Sequence, residues 1–264
     1  MPSLSEHGSS KFIKLMYIGD SGTGKTGSLV SLVAAGYKLK ILDMDNGLSS
    51  LSQFIRHECP DKLANVEYET RRNRYKSTAQ GPKVLGQPKA FTDALALMTE
   101  WSDGTDPAEW GEDTIFVLDS LTAYGRAALE WARDMNPTAK DGRQWYFVAQ
   151  KAIEDTLALL TGDDFHCNVI VISHINWREL QDGTTKGYPH AVGSALGPHI
   201  PKYFDSLLLA ESSGSGKNVR RKIKTAPTNT IDLKNPAPFI IEDELPLETG
   251  LATIFTSLKG DSNG

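Results

Sequence analysis

This chain of 264 residues has only two cysteines, no long apolar run and no excess of positive charge. The two cysteines, Cys59 and Cys167, lie far apart without metal-site spacing, so we expect reduced thiols; a disulfide or a metal role is the less favoured alternative. No stretch reaches the roughly 18 apolar residues of a membrane span, and residues 1–10 lack the apolar centre of a signal peptide. We therefore expect a soluble, cytoplasmic protein that contacts no membrane.

The charge balance excludes a uniformly basic surface but leaves two local basic runs. Lys and Arg total 28 against 33 Asp and Glu, for a net charge of −5. Residues 71–89 contain six basic residues and no acid, and residues 217–224 contain five basic residues. Each run could contact phosphates or form an ordinary solvated surface.

The length and the apolar content, 39% of residues, suit one large core better than two independent ones. We expect one α/β domain over residues 11–258, between flexible termini at residues 1–10 and 259–264.

Residues 19–26 read GDSGTGKT and fit the pattern G-x-x-x-x-G-K-[ST], between an apolar run at residues 12–18 and a helix-compatible segment at residues 27–33. In this arrangement the backbone N–H groups of the loop surround a polyphosphate, the lysine reaches the β and γ phosphates, and the hydroxyl holds Mg²⁺. The pattern predicts a nucleoside triphosphate site rather than an ordinary glycine-rich turn. The predicted nucleotide contacts are Gly19, Asp20, Ser21, Gly22, Thr23, Gly24, Lys25, Thr26 and Gly27, with Thr26 on the metal.

Two further apolar segments end in acidic residues. Residues 37–43 predict a strand that leads into Asp43 and Asp45, and residues 114–119 predict a buried strand that ends in Asp119. In a nucleotide site we expect Asp119 to hold Mg²⁺ through water and to accept a hydrogen bond from Thr26. Asp45 alone could equally be a strand-end cap.

The remaining patterns predict alternating helices and strands, and hence a mostly parallel sheet. Helices are expected at residues 91–101, 121–133 and 146–160, and the apolar residues of the first should be core contacts. Further strands are expected at residues 65–70, 168–174, 206–210 and 219–225. Residues 71–88 are polar enough to form a mobile surface segment, and residues 176–201 show no regular period and predict a long irregular loop.

The order of these motifs resembles the RecA-like ATPase core over about residues 13–225. Besides the phosphate-binding loop, the resemblance rests on residues 41–48, 116–121, 170–174, 193–196 (GSAL) and 221–224 (RKIK). It implies an α/β fold with a mostly parallel, twisted sheet flanked by helices, an ATP and Mg²⁺ requirement, and catalytic roles for Lys25, Asp45, Asp119 and His174.

Two of these positions depart from the family pattern. Asp45 stands where the family has a water-activating glutamate, one methylene longer, which implies slow or effector-stimulated hydrolysis. His174 stands where the family has an amide-bearing sensor of the γ-phosphate, and a buried polar role is the alternative. By the same resemblance, Lys222 and Lys224 are candidates to act on a neighbouring subunit in a ring or filament. A charged, solvated edge strand is the alternative for these two lysines.

A minimal core of this size resembles phage-encoded recombination ATPases of the single-strand-annealing type. This implies action on single-stranded DNA, self-association, a possible single-strand-binding or replication protein as partner, and the host cytoplasm as location if the gene is carried by a phage. The residues implied in DNA contact are Lys140, Arg143, Trp177, Arg178, Lys186 and Tyr188.

Two other classes of function use the same loop. One is a nucleotide-gated switch or loader whose partner is a protein, in packaging, replication or defence. The other, less favoured, is a small-molecule kinase in which residues 71–89 cover an acceptor phosphate.

Overall fold

A computed structural model describes residues 11–260, and its centre is one eight-stranded sheet. The strands are β1 (Lys14–Ile18), β2 (Lys38–Asp43), β3 (Val66–Thr70), β4 (Tyr75–Lys76), β5 (Lys83–Val84), β6 (Gly111–Asp119), β7 (Cys167–Ser173), β8 (Ile175–Glu179), β9 (Thr185–Pro189), β10 (Ser206–Ser213), β11 (Arg220–Lys224) and β12 (Glu244–Pro246). The helices are α1 (Lys25–Ser28), α2 (Val30–Ala34), α3 (Ser49–Glu58), α4 (Ala90–Leu97), α5 (Leu121–Met135), α6 (Arg143–Thr161) and α7 (Gly250–Lys259). Of the flexible termini predicted at residues 1–10 and 259–264, residues 1–10 and 261–264 lie outside the described residues.

The strands of the large sheet lie in the order β12-β11-β10-β1-β7-β6-β2-β3. All neighbours from β10 to β3 are parallel, whereas β11 and β12 add antiparallel strands at one edge. Two separate hairpins, β4–β5 and β8–β9, stand outside this sheet. The predicted α/β fold with a mostly parallel sheet flanked by helices is confirmed.

Side chains of each central strand alternate between two apolar clusters, one on each face of the sheet. On β1, Met16 and Ile18 pack into the cluster with α4, α5 and α6, while Leu15 and Tyr17 pack into the cluster with α2, α3 and α7. Strands covered on both faces read as continuous apolar runs, which is why these segments were recognisable in the sequence. The core role predicted for the helix near residue 91 is confirmed, because Phe91, Ala94, Leu97, Met98 and Trp101 are buried.

Three expectations change. The irregular loop predicted at residues 176–201 is wrong, because it contains the antiparallel hairpin β8–β9. The basic residues 71–89 contain the short hairpin β4–β5. Helices α3 and α7 and strand β12 were not predicted, and α7 extends to Lys259, one residue beyond the expected domain boundary.

Cys59 and Cys167 are buried, free thiols, as expected. Within residues 11–260, no helix has both the length and the apolar character that crossing a bilayer requires.

Candidate functional site

The phosphate-binding loop follows β1 and leads directly into α1 at the carboxyl edge of the parallel strands. Two of its glycines are required by close packing. A Cβ on Gly19 would lie 2.6 Å from the carbonyl oxygen of Ala210, and one on Gly24 would lie 2.6 Å from a methyl carbon of Leu247. Gly24 also has φ +95°, a conformation that residues with a side chain rarely adopt. The loop is therefore held against β10 and against the segment after β12.

Lys25 is almost completely buried and folds back over this loop. Its Nζ donates hydrogen bonds to the carbonyl oxygens of Gly19, at 2.8 Å, and Asp20, at 2.9 Å. Burial lowers the pKa of the ammonium, against the opposing charges of Asp119, Asp20 and Asp45. These carbonyl oxygens are weak partners for a buried cation, so an arriving phosphate can displace them.

Thr26 and Asp119 meet beside Lys25. The Thr26 hydroxyl donates to Asp119 Oδ2 at 2.6 Å. Burial, followed by the charges of Asp45 and Asp43, raises the pKa of the Asp119 carboxyl to about 6, although the Thr26 hydrogen bond and Lys25 oppose the shift. A buried carboxylate paired with a hydroxyl is a hard oxygen donor set whose charge a divalent cation would compensate. The residues present therefore fit Mg²⁺.

Asp45 lies at the open side of Asp119, where its Oδ2 accepts a hydrogen bond of 2.7 Å from the hydroxyl of Ser120. Ser120 also accepts from the backbone N–H of Ala123 and caps α5. Asp45 is thus fixed to the start of α5 but remains exposed to the cavity.

Asp43, two residues earlier, has a structural role: it holds the turn that follows β2. Its buried Oδ1 accepts from the backbone N–H groups of Asp45, Asn46 and Gly47, and its Oδ2 accepts from the Thr70 hydroxyl. Asn46 occupies the left-handed region with φ 59°, which asparagine tolerates better than most residues. The buried carboxylate therefore sets the shape of the turn that carries Asp45.

Asp43→Ala is expected to lower the free energy of unfolding by about 3 kcal/mol, because it leaves four partly buried donors, three backbone N–H groups and the Thr70 hydroxyl, without their acceptor. Asp43→Asn keeps an acceptor oxygen and should cost about 1 kcal/mol. Urea unfolding monitored by circular dichroism measures both, with exposed Asp45→Ala as the control that loses about 1 kcal/mol or less. An Asp43→Ala protein as stable as the control would remove the organising role.

A cavity of about 550 Å³ joins these groups. His174, at the end of β7, lines it, and burial together with the charge of Lys25 lowers the pKa of its imidazole. Phe54 on α3 and Leu247 after β12 form apolar parts of the wall. The other wall residues include Ser21, Gly22, Gly24, Lys25, Thr26, Gly27, Asp45, Asp119, Ser120, Arg221 and Glu248. A cavity whose wall contains both charged and apolar residues suits a ligand with charged and flat apolar parts.

Hydrogen bonds join the end of β7, next to His174, to Thr122 on α5. Ser173 and Thr122 hydroxyls both donate to the carbonyl oxygen of His190, and the His174 N–H donates to Thr122. The His190 N–H also donates to the carbonyl oxygen of His174 at 2.9 Å, so hairpin β8–β9 starts and ends beside His174, which lines the cavity.

Most of the side chains expected to contact DNA have partners within the chain. Trp177 Nε1 donates to Asp20 Oδ1 at 3.4 Å, Arg178 donates to the carbonyl oxygen of Ser194, and Lys186 pairs with Asp232 at 2.7 Å. Tyr188 lies under the guanidinium of Arg178. At the start of α6, Arg143 pairs with Asp141, and Lys140 in the loop before α6 is exposed. Only Trp177 among these six is bonded to the phosphate-binding loop.

Lys222 and Lys224 lie on one face of β11, as their alternation indicates, and both pair with acids of the same chain. Lys222 lies 2.7 Å from Glu244, and Lys224 lies 3.1 Å from Glu211. Their charges are therefore compensated locally.

Arg221 is a site residue that the sequence reasoning left unassigned. It lies on the opposite face of β11, beside Ile223, whose side chain packs into the cluster next to the phosphate-binding loop. Arg221 Nε donates to the carbonyl oxygen of Gly22 at 3.4 Å, and the side chain lines the cavity. The two-residue alternation of the strand could have identified it, because Ile223 marks the inward face.

The arrangement defines a RecA-like P-loop ATPase core. Residues 11–237 match the family described as AAA domain, and the chain belongs to that family. Solved structures of similar fold include the RadB recombinase, 17% identical with a TM-score of 0.45 over 80% of this chain and 79% of that one. Another is the flagellar accessory protein FlaH from Methanocaldococcus jannaschii, 10% identical with a TM-score of 0.46 over 91% of this chain and 88% of that one. No curated protein sequence matches the chain.

Proposed function

We propose that this protein is a Mg²⁺-dependent ATPase that acts on single-stranded DNA in recombination or annealing. One observation carries the proposal. A single cavity brings together Lys25, Thr26 with Asp119, Asp45 and His174, and the strand end at His174 continues into a partly exposed hairpin. A change at the nucleotide can therefore reach a surface outside the cavity.

In this mechanism Lys25 leaves the carbonyl oxygens of Gly19 and Asp20 and binds the β and γ phosphate oxygens. Thr26 and Asp119 would hold Mg²⁺, which would supply compensating positive charge. Asp45 orients the attacking water and accepts its proton. His174 senses the γ-phosphate, and the flat base of the nucleotide lies against Phe54 and Leu247.

We further propose that hydrolysis is slow until an effector binds. Asp45 Oδ2 accepts a hydrogen bond from Ser120, which holds the carboxylate against the start of α5 and restricts its reorientation towards an attacking water. An effector that shifts the turn of Asp45 away from Ser120 would release it for catalysis.

Steady-state ATP hydrolysis with and without a single-stranded oligonucleotide tests this function, with Lys25→Ala as background. We expect the oligonucleotide to stimulate the wild-type rate and to have no effect on Lys25→Ala. A wild-type rate of hydrolysis that does not change when the oligonucleotide is added would overturn the proposal that DNA is the effector. It would favour the switch or loader with a protein partner, a reading supported by the exposed apolar side chains Phe147 and Val148 on α6.

Arg221→Ala is expected to weaken ATP binding about tenfold, the loss of roughly one charge-assisted hydrogen bond to a phosphate. Arg220→Ala is the matched control, because the neighbouring arginine lies on the other face of β11 and is exposed. Titration with a fluorescent ATP analogue measures both, and equal affinities would remove Arg221 from the site.

A role for Lys222 and Lys224 on a neighbouring subunit requires both lysines to leave Glu211 and Glu244 when a ring or filament forms. We therefore expect Lys222→Ala and Lys224→Ala to lower turnover only at concentrations where the protein is assembled. Loss of turnover in the monomer would contradict the role in trans.

A further inference from the structure

A second cleft lies on the other side of Asp45 from the phosphate-binding loop. It has a volume of about 80 Å³, and its walls include Asp45, Arg71, Arg72, Tyr75 and Arg126. Arg71 directly follows β3, and Arg126 lies on α5. Residues 71–89, called here the basic arm, contain the hairpin β4–β5, and the cleft lies at the base of this arm.

The basic arm carries positive charge that the chain does not compensate. Arg71 pairs with Glu69 at 2.8 Å, but within residues 11–260 no ion pair involves Arg72, Arg74, Lys76, Lys83 or Lys89. This contrasts with Lys186, Lys222 and Lys224, which all have carboxylate partners.

The hairpin also places like charges opposite each other. Lys76 is the cross-strand partner of Lys83 in a ladder only two residues long. Directly opposed like charges destabilise a strand pair, so the isolated hairpin has an electrostatic cost that a bound polyanion would remove.

Hydrogen bonds nevertheless attach the arm to helices α4 and α5. Asn73 Nδ2 and the Tyr75 hydroxyl both donate to the Glu130 carboxylate on α5, and Asn73 Oδ1 accepts from the N–H of Ala90 at the start of α4. The side chain of Tyr75 is 51% exposed, so its ring is accessible beside the cations. Cations spaced along an anchored hairpin, with an accessible aromatic ring, match the chemistry of a single-stranded nucleic acid.

The base of the arm is bonded to the turn that carries Asp45. The Arg71 N–H donates to the Asp43 carbonyl oxygen at 3.1 Å, and the Thr70 hydroxyl donates to the Asp43 carboxylate. A ligand that moves the arm therefore acts on Asp45 through two hydrogen bonds.

We infer that the basic arm binds the phosphate backbone of single-stranded DNA, with Tyr75 stacking on a base, and transmits its occupancy to Asp45. The inference rests on the proposed function and names the surface through which the strand acts. Lys76 and Lys83 contact phosphates, and Arg72 and Arg126 hold the phosphate nearest the cleft.

The test is the salt dependence of binding to a fluorescein-labelled oligothymidylate, measured by anisotropy with the full-length protein. Lys76→Ala/Lys83→Ala should reduce the slope of log affinity against log salt by about 1.4, and the affinity by about 20-fold at about 0.1 M salt. The matched control is Lys11→Ala/Lys38→Ala, which removes the same charge at exposed positions before β1 and at the start of β2, at the amino ends of the strands, whereas the basic arm extends from the carboxyl end of β3. The control should retain the wild-type slope. Tyr75→Ala should weaken binding at constant slope.

Folding is checked by the thermal midpoint, which should not fall in Lys76→Ala/Lys83→Ala because the opposed charges are removed. The oligonucleotide concentration needed for half-maximal stimulation of hydrolysis should rise in parallel with the loss of affinity. If the wild type binds and the arm variant keeps its slope, the inference is wrong while the proposed function stands; a protein-docking arm would give this result. If the wild type does not bind the oligonucleotide at all, both are wrong.

Discussion

Lys25→Ala is expected to lower kcat/KM for ATP hydrolysis by about 100-fold or more, the usual effect of removing one preorganised donor to a reacting oxygen. The structure shows why the loss should be purely functional. The ammonium is buried and donates hydrogen bonds to the carbonyl oxygens of Gly19 and Asp20. The carboxylates of Asp119, Asp20 and Asp45 act on it only through their charge. Its removal therefore relieves a buried charge, and Lys25 belongs to neither apolar cluster of the core.

The thermal midpoint of Lys25→Ala should consequently stay within about 2 °C of the wild type, since it loses no net stabilising contact. Lys38→Ala, at an exposed position on β2, is the control for loss of one lysine and should keep full activity. Unchanged hydrolysis in Lys25→Ala would overturn the assignment of the phosphate-binding loop. Loss of activity accompanied by unfolding would instead show that Lys25 is needed for the stability of the fold.

Asp119→Asn is expected to change activity and stability in opposite directions. Hydrolysis should fall by about 100-fold, because a neutral amide is a poor partner for Mg²⁺. In metal-free buffer at neutral pH, however, the free energy of unfolding should rise by about 2 kcal/mol, since the buried carboxyl has a pKa of about 6 against an ordinary 3.8. Asparagine can still accept the hydrogen bond from Thr26.

The raised pKa of Asp119 also predicts how the free energy of unfolding depends on pH. Because the pKa is raised in the folded state, the folded protein holds the proton more tightly than the unfolded chain between about pH 4 and pH 6. The contribution of Asp119 to stability therefore falls as the pH rises through this window. Asp119→Asn should lack this component, whereas Asp113→Asn, at an exposed position on the same strand, should retain it.

Urea unfolding at several pH values, with and without Mg²⁺, measures these differences. Added Mg²⁺ should stabilise the wild type and Asp113→Asn but not Asp119→Asn. A less stable Asp119→Asn protein in metal-free buffer would show that the carboxylate is a structural rather than a functional buried charge.

The parts of the fold that the sequence predicted are those with a local cause. A glycine-rich turn, a continuous apolar strand and a strand-end acid each have a short-range pattern, and β1, β2, β6 and β7 were recognisable for that reason. Helix α7 has such a pattern too, with Leu251, Ile254, Phe255 and Leu258 at helical spacing, but the proline-rich and acidic residues before it obscured the signal.

Features that depend on distant partners could not be predicted from local patterns. Glu211 and Glu244 compensate Lys222 and Lys224 only because β10 and β12 lie on either side of β11. Likewise, the hydrogen bonds from Ser120 to Asp45 and from Arg221 to Gly22 join residues 75 and 199 positions apart, so no spacing rule encodes them.

The most direct test of the account is the affinity of the protein for a single-stranded oligonucleotide in three nucleotide states: ATP with Mg²⁺, ADP with Mg²⁺, and none. Because His174 and the turn of Asp45 line the cavity and connect it to the outer surfaces, the account predicts about tenfold or tighter binding with ATP than without nucleotide, and no such gain in Lys25→Ala. Equal affinity in all three states, with ATP shown to be bound, would contradict it.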